Sequence, residues 1–303
     1  MLIFKKIVSL FFTAEASASK QAIAVSAEAI TDTGLVRDNN EDSYLFLPEH
    51  HLWAVADGMG GYDGGEIASA IAISSLKSAI ASEQNLTDAI QASHRAIEQA
   101  ARDGLGSKGM GSTIVAIQIE SEHYQIGWVG DSRAYLYREN CEETLVEPTS
   151  GKQRSGYLNE TGGEMSTAQL SDPRSLRCLT KDHSYVQLLL DQGLISESEA
   201  ENHPQKNVIT QALGGIGQSI TVDCVKGKWY TGDIFLLCSD GLSAKVSAEN
   251  MEGILGSRSI SLADKADQLL KEALAAGGDD NITFILLMMK ATDTGPINCV
   301  NPS

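Results

Sequence analysis

The sequence predicts an α+β fold in which antiparallel sheets carry helices on their outer sides. Three strand-like runs follow one another with short turns between residues 112 and 137, an order that is typical of antiparallel pairing. Two consecutive helical segments precede these runs, and a late amphipathic helix follows them. The chain has 303 residues, 42% of them hydrophobic, which suffices for a sizeable core in one large domain or in two.

The individual elements follow from the spacing of apolar residues. Short apolar or alternating runs predict the strands, at 22–30, 44–47, 52–56, 112–119, 124–129, 134–137, 220–225, 234–238 and 282–289. Apolar residues at helical spacing predict the helices, at 66–82, 86–102, 185–192, 197–202 and 262–274. Asn85 or Thr87 is the candidate cap of the second helix, and Gly277-Gly278 ends the last one.

Both ends of the chain lie outside this pattern. Residues 1–21 are an N-terminal extension whose apolar start is interrupted by Lys5 and Lys6 and is too short to span a bilayer. A signal peptide is the alternative for this segment; we favour an extension that packs as a helix or docks on a partner. Residues 291–303 are expected to form a frayed C-terminal tail.

Charge and cysteine content exclude several classes of protein. The net charge of −17 argues against binding to nucleic acid or to anionic membranes, because both favour basic surfaces. The five cysteines are odd in number and form no Cys-x-x-Cys pair, which argues against a zinc site or a disulfide framework. Their use is typical of a reducing cytosol, so we expect a cytoplasmic protein with no membrane span.

Acidic residues stand at the ends of four strand-like runs. In chain order they are Asp57, Asp131, Asp240 and the pair Asp279-Asp280. Asp57 alone fits equally well as a surface residue in a strand-turn. The repeated pattern favours a different explanation, because carboxylates that lie close together repel and raise one another's pKa. A divalent cation with oxygen ligands is the simplest compensation, and Gly58 after Asp57 leaves a backbone carbonyl accessible to it.

Together with the segment Arg37-Asp38-Asn39-Asn40-Glu41-Asp42, these motifs resemble the PP2C-type family of metal-dependent serine/threonine protein phosphatases. The family's order is kept along the chain: Arg-x-x-Asn-Glu-Asp-Ser, Asp-Gly-Met-Gly-Gly, Gly-Ser-Thr, Gly-Asp-Ser-Arg, Asp-His-Ser, Ser-Asp-Gly and Asp-Asn-Ile-Thr. The resemblance covers residues 22–290, and the ordered set is specific although each motif alone is weak. Met59 resembles the bacterial branch, since animal-type members carry there a histidine that is held to protonate the leaving group.

The resemblance implies a β-sandwich of two mainly antiparallel sheets flanked by pairs of helices, with a binuclear metal site at one end. Residues 22–290 would form this phosphatase domain, with a flap at about 182–215 beside the cleft. The polar stretch 142–174 would be an insertion, because relatives usually pass this point through a short hairpin. It would either help select protein substrates or be a disordered surface insertion of no consequence.

The resemblance also implies a role for each acidic residue. Asp57 would bridge two Mn²⁺ or Mg²⁺ ions, Gly58 would offer its carbonyl to one of them, and Asp240 and Asp280 would hold the other. Glu41 would hold a water ligand of the metal, Asp42 would orient the neighbouring groups, and Asp131 would hold a third, weaker ion. Asp280 is preferred over Asp279 because it directly precedes Asn281, as the family's ligand does.

Basic and imidazole side chains receive separate interpretations. Arg37 matches the family's phosphate-binding arginine, whose guanidinium can hold two phosphate oxygens; a solvated surface arginine is the alternative. Arg133 is expected to form a salt bridge near Asp131, and His183 to be structural. The histidines expected at the surface are His50, His51, His94 and His123.

These observations predict a bacterial, monomeric phosphatase that hydrolyses phosphoserine and phosphothreonine in proteins and opposes a serine/threonine kinase of the same cell. One alternative is a non-catalytic phosphoprotein-binding scaffold on the same fold, which the loss of a metal aspartate would mark; none is lost. A second alternative is a regulator of sigma-factor signalling, which the lack of an attached sensor segment disfavours.

Overall fold

The protein is built on two antiparallel sheets that pack face to face. The computed structural model describes residues 8–13, 24–60, 64–139, 175–215 and 219–290. The strands are β1 (Val8–Thr13), β2 (Ala24–Asp32), β3 (Asp42–Leu47), β4 (Leu52–Met59), β5 (Gly111–Ser112), β6 (Ile114–Glu120), β7 (His123–Val129), β8 (Arg133–Tyr137), β9 (Leu176–Cys178), β10 (Asp223–Lys228), β11 (Ile234–Cys238) and β12 (Ile282–Lys290). The helices are α1 (Gly64–Ala81), α2 (Leu86–Arg102), α3 (Tyr185–Asp191), α4 (Glu197–Glu201), α5 (Asp240–Ser243), α6 (Ala248–Gly256) and α7 (Leu262–Ala275).

The strand order brings distant parts of the chain together. The first sheet runs β1-β2-β12-β11-β8-β9, and the second runs β10-β7-β6-β4-β3, with β5 paired to β4. Every pairing between these strands is antiparallel. Because β12 pairs between β2 and β11, the acidic residues just before β12 lie beside those that follow β11.

Three apolar layers hold the sheets and helices together. Trp53 and Val55 of β4 face Phe235 and Leu237 of β11 in the layer between the sheets. Ala54 and Ala56 point the other way and pack under α1 and α2. A third layer packs α6 and α7 on the outer face of the first sheet. Strands buried on both faces explain why these runs are continuously apolar rather than alternating.

The predicted two-sheet fold with outer helices is confirmed, and most predicted elements are present with small shifts at their ends. Asn85, not Thr87, caps α2, since its side chain accepts a hydrogen bond from the amide of Asp88. The short elements β9, α5 and α6 were not predicted. None of the described helices combines the length and the apolar character needed to cross a membrane.

One expectation about the N-terminal extension was wrong. Residues Val8–Thr13 form β1, which pairs along its length with β2, rather than a helix. The two β-branched residues and two phenylalanines in this stretch suit a strand, and the edge of the first sheet offers it a row of backbone partners. The rest of the extension, the insertion at 142–174 and the tail at 291–303 lie outside the described residues.

Candidate metal centre

Asp42 and Asp57 stand directly opposite each other on paired strands. Asp42 begins β3, Asp57 lies near the end of β4, and the two are partners in the register of the strand pair. Side chains alternate along a strand, so Asp57 continues the inward face of Trp53 and Val55, and Asp42 that of Tyr44. Both carboxylates therefore project into one end of the space between the sheets, a pairing of like charges that is unfavourable without a cation.

The first sheet contributes Asp240 and Asp280 to the same end. Asp240 begins α5 two residues after the end of β11, and Asp280 lies two residues before β12. Asp57 and Asp240 lie close enough for the charge of Asp240 to raise the pKa of Asp57. Ser239 joins the sheets, because its hydroxyl donates to Asp42 Oδ2 over 2.9 Å and accepts from the amide of Thr283 over 3.0 Å.

The turn between β7 and β8 brings Asp131 close to these carboxylates. Gly130 has a positive φ of 106°, and a Cβ there would lie 2.6 Å from Thr113, so this tight approach requires glycine. Thr113 Oγ1 is 2.7 Å from Ser132 Oγ and accepts from the amide of Asp57 over 3.1 Å. Thr113 thus links the turn that carries Asp131 to the strand that carries Asp57.

Burial and mutual repulsion raise the pKa of these carboxyl groups. Burial is the main cause that raises the pKa of Asp42 to about 7. The charge of Asp240 raises this pKa further, whereas the hydrogen bond from Ser239 lowers it. Burial and the charge of Asp240 likewise raise the pKa of Asp131 to about 7. Burial followed by neighbouring carboxylates raises the pKa of Asp57 well above its ordinary value, and that of Asp240 is raised too. Such a group favours either protons or a divalent cation.

Unpartnered oxygens indicate that these residues fit a metal. Asp42 Oδ1 and Asp240 Oδ1 are buried without a hydrogen-bond partner, and buried carboxylate oxygens are rarely left so. All the side chains offered are oxygen donors, the ligands that Mg²⁺ and Mn²⁺ prefer. In the described part of the chain, no group of three or more Asp, Glu, His or Cys side chains is close enough together to bind one ion without rearrangement. The carboxylate of Asp280 instead accepts a hydrogen bond from Arg37.

Close backbone contacts fix Gly58 beside Glu41. The amide of Gly58 donates to the carbonyl of Glu41 over 3.1 Å. A Cβ on Gly58 would lie 2.0 Å from the carbonyl oxygen of Gly65, and one on Gly65 would lie 2.6 Å from Glu41 Oε2. Only glycine fits at either position, and the side chain of Glu41 consequently lies against the start of α1 next to the predicted ligands.

Asn281 fixes the loop that carries Arg37 and Glu41. Its amide nitrogen donates to the carbonyls of Thr33 and Asn39, and its Oδ1 accepts from the amide of Glu41 over 2.8 Å. Arg37 Nη2 then reaches Asp280 Oδ2 over 2.9 Å, with 53% of the arginine side chain exposed. The arginine is therefore both close to the carboxylates and accessible to a ligand from solution.

Asp279 and Asp280, although adjacent, face different surroundings. Asp279 is exposed and forms an ion pair with Lys245, whose hydrogen bond lowers the pKa of Asp279. Asp280 contributes to the raised pKa of Asp42, Asp57 and Asp240. This difference supports the choice of Asp280 as a ligand.

The structure corrects the expectation for one basic residue, His94, and confirms that for another, Arg133. His94, expected at the surface, is 5% exposed, because its face of α2 meets the end of the flap, where its Nδ1 accepts from the amide of Gly214. Arg133 forms the expected salt bridge near Asp131, and its partner is Asp182, with both carboxylate oxygens bound at 2.9 and 2.7 Å.

Comparison with known proteins identifies the family. The family model described as "Protein phosphatase 2C" matches residues 36–276, well over half of the chain. The chain belongs to the protein phosphatase 2C family. It is 35% identical to the serine/threonine phosphatase stp of Listeria welshimeri over 88% of this chain and 98% of that protein. It is 34% identical to the serine/threonine protein phosphatase PstP of Mycobacterium tuberculosis over 88% of this chain and 45% of that protein.

Solved structures agree with this assignment. The crystal structure of the M. tuberculosis phosphatase PstP/Ppp is similar with a TM-score of 0.71 and 31% identity, covering 89% of this chain and all of that one. A structure of the PstP catalytic domain in complex with two manganese ions is similar with a TM-score of 0.69 and 30% identity, covering 89% and 99%. The family, the fold and the enzyme class predicted from the motifs are confirmed, and the scaffold alternative is disfavoured. The roles of the individual site residues stay predictions.

Proposed function

We propose that this protein hydrolyses phosphoserine and phosphothreonine in proteins with the help of two Mn²⁺ or Mg²⁺ ions. The observation that carries the proposal is the gathering of Asp42, Asp57, Asp131, Asp240 and Asp280 at one end of the sandwich. Four of these carboxyl groups have raised pKa values, and two have buried oxygens without a hydrogen-bond partner. The manganese ions in the PstP structure support the choice of metal.

The predicted ligands would act together on cations in this space. Asp57, at the centre of the group, would bridge two ions, and the carbonyl of Gly58 and the carboxylates of Asp240 and Asp280 would complete the set. Glu41 would hold a water ligand, and Asp131 would hold a third, weaker ion. When bound, the two cations make a water molecule acidic enough to react near neutral pH and offset the charge on the phosphoryl oxygens.

The protein's own groups would bind and orient the phosphate. Arg37 can present two N–H donors to a phosphate once it leaves Asp280, a rearrangement that its exposure allows. Ser239, which donates to Asp42, and Thr113, which accepts from the amide of Asp57, hold these two carboxylates in place. Met59 has no titratable proton, so a side-chain acid at that position is excluded as the donor to the leaving group.

The physiological setting is inferred from the family and the composition. The substrates would be phosphoproteins of the same bacterial cell, and the opposing enzyme a serine/threonine kinase. We further propose a monomer in the cytoplasm, in keeping with the strongly acidic chain and its cysteine usage.

A matched pair of variants tests this function. The wild-type protein should hydrolyse an aryl phosphate and a phosphothreonine peptide in the presence of Mn²⁺ and lose this activity in excess chelator. Asp57→Asn should lower turnover at least about a hundredfold, because it removes a charged ligand. Asp279→Asn, whose carboxylate faces Lys245 instead, should keep turnover within about twofold.

Two results would refute the proposal. Full activity in excess chelator would exclude the metal mechanism. Saturable binding of the phosphopeptide without any turnover at saturating Mn²⁺ would favour the scaffold alternative.

A further inference from the structure

Two buried histidines hold the two ends of the flap, residues 182–215. At the N-terminal end the amide of His183 donates to the carbonyl of Gly130 over 2.9 Å. The amide of Gly130 donates in return to His183 Nδ1 over 3.1 Å. The imidazole is buried beside the ring of Trp128, with 6.4 Å between the ring centroids. Because Gly130 directly precedes Asp131, this contact joins the flap to the turn that carries a predicted metal ligand.

The C-terminal end of the flap is held in the same manner. The amide of Gly214 donates to Nδ1 of His94 over 3.0 Å. Gly214 has a φ of 92°, and a Cβ there would lie 2.3 Å from Ile97, so the backbone packs tightly against α2. The preceding residue, Leu213, exchanges backbone hydrogen bonds of 2.8 and 3.1 Å with Ser112.

Ser112 connects the C-terminal end of the flap to the candidate metal centre. In the register of β4 and β5 it is the partner of Gly58, and its hydroxyl donates to the carbonyl of Asp57 over 3.0 Å. The flap is therefore fastened at one end beside Asp131 and at the other beside Asp57 and Gly58.

The chemistry of the two imidazoles is the same. Each accepts a glycine N–H at Nδ1, so each must carry its proton on Nε2. A carboxylate faces that nitrogen in both cases: Asp223 Oδ2 lies 3.4 Å from Nε2 of His183, and Glu98 Oε2 lies 3.8 Å from Nε2 of His94. These carboxylates favour the tautomer that leaves Nδ1 free to accept.

We propose that His183 and His94 are positioning residues, which couple the seating of the flap to the placement of the metal ligands at Asp131 and at Asp57-Gly58. They touch neither substrate nor metal and act through the glycine amides that they bind. The proposal rests on the ligand assignments of the proposed function, so its test includes a measurement that does not depend on metal.

Paired substitutions separate positioning from simple packing. Asparagine places an oxygen acceptor where histidine has Nδ1, whereas leucine places a methyl group there and removes the acceptor. His203→Leu is the matched control: His203 Nδ1 also accepts a backbone N–H, that of Gln205 over 3.1 Å, but within the flap itself.

The first measurement is amide hydrogen exchange by NMR on the metal-free proteins. His183→Leu should speed exchange at Gly130 about tenfold, the equivalent of one lost hydrogen bond, without affecting Gly214. His94→Leu should do the reverse. The asparagine variants should stay within about threefold of wild type at both amides, and His203→Leu should leave both unchanged.

The second measurement is calorimetric Mn²⁺ binding together with steady-state kinetics on an aryl phosphate. His183→Leu should weaken the weakest Mn²⁺ site and lower turnover about tenfold, with KM within about twofold and rescue by His183→Asn. Unchanged exchange at Gly130, or equal losses in the leucine and asparagine variants, would overturn the proposal. A lower melting temperature with normal turnover would also overturn it, since the histidines would then only pack. If exchange responds as expected but wild type neither binds Mn²⁺ nor turns over, the proposed function fails instead.

Discussion

Removing the metal should leave a protein whose stability increases as the pH falls from about 8 to about 5. In the metal-free protein the pKa values of Asp42 and Asp131 are raised to about 7, chiefly by burial. In the unfolded chain both return to about 3.9. Between these values the folded state binds more protons than the unfolded state, so the free energy of unfolding falls as the pH rises. This contribution is fully present below about pH 4 and is lost as the pH passes about 7.

The size of the effect follows from the same two residues. Lowering the pH from about 8 to about 5 stabilises the folded state by about 2.6 kcal/mol for each carboxyl group of this kind, so two contribute at most about 5 kcal/mol. Relaxation of the site and partial contact with water reduce this value, and we expect about 2–4 kcal/mol. Bound cations compete with the protons, so saturating Mn²⁺ should remove the trend and release protons on binding.

Urea unfolding followed by tryptophan fluorescence measures this stability, in chelator and in Mn²⁺, at several pH values. Asp42→Asn and Asp131→Asn should each flatten the pH dependence in chelator, which would assign it to these two carboxyl groups. Asp279→Asn is the control, because the pKa of Asp279 is lowered beside Lys245 and it is ionised throughout. A free energy of unfolding in chelator that stays constant or rises from pH 5 to pH 8 would refute the reasoning.

Four further predictions concern single residues or segments. Asp240→Asn should lower turnover at least about a hundredfold yet leave the metal-free protein as stable or more stable in urea, because it removes a repelling charge. Thr113→Val should destabilise the fold by about 2–4 kcal/mol in the same assay, since two buried partners lose their hydrogen bonds, whereas Thr113→Ser should lose less than half of that. Asp131→Ala should keep two tight Mn²⁺ sites by calorimetry while turnover falls; loss of both sites would contradict its assignment to a third ion. Replacing residues 142–174 by a short Gly-Asn turn should leave aryl phosphate hydrolysis unchanged and slow a cognate phosphoprotein about tenfold, and equal rates on that protein would mean that the insertion has no such role.

Local sequence patterns predicted the long elements because the local signals agree with the tertiary packing. The strand at 234–238 and the helix at 86–102 were predicted with the bounds that the structure gives. The helix has both an amphipathic pattern and a capping asparagine, and the strand is buried on both faces. Short elements gave too little periodicity: α6 buries only Met251 and Leu255.

The acidic residues of the candidate site could be predicted, but the groups that hold them could not. Aspartates at strand ends are visible in the sequence as a repeated pattern. The partners of Asn281 are not, because its hydrogen bonds reach Glu41 and Asn39 more than two hundred positions away and depend on the pairing of β12 with β2. The burial of His94 was missed for the same reason, since only the folded chain brings Gly214 to its side of α2.

The arrangement separates two tasks between two sets of residues. The carboxylates of Asp42 and Asp57 are placed opposite each other by strand register, which is set by the apolar core between the sheets. That core therefore supplies the free energy that keeps like charges together until a cation binds, and metal binding and folding stability must be linked. Neutral groups such as the hydroxyls of Ser239 and Thr113 and the amide of Asn281 fix the geometry without adding charge that would compete with the metal. Replacing a neutral holder by a cation should consequently weaken Mn²⁺ binding even where the fold survives, because the new charge would occupy the carboxylates that the metal needs.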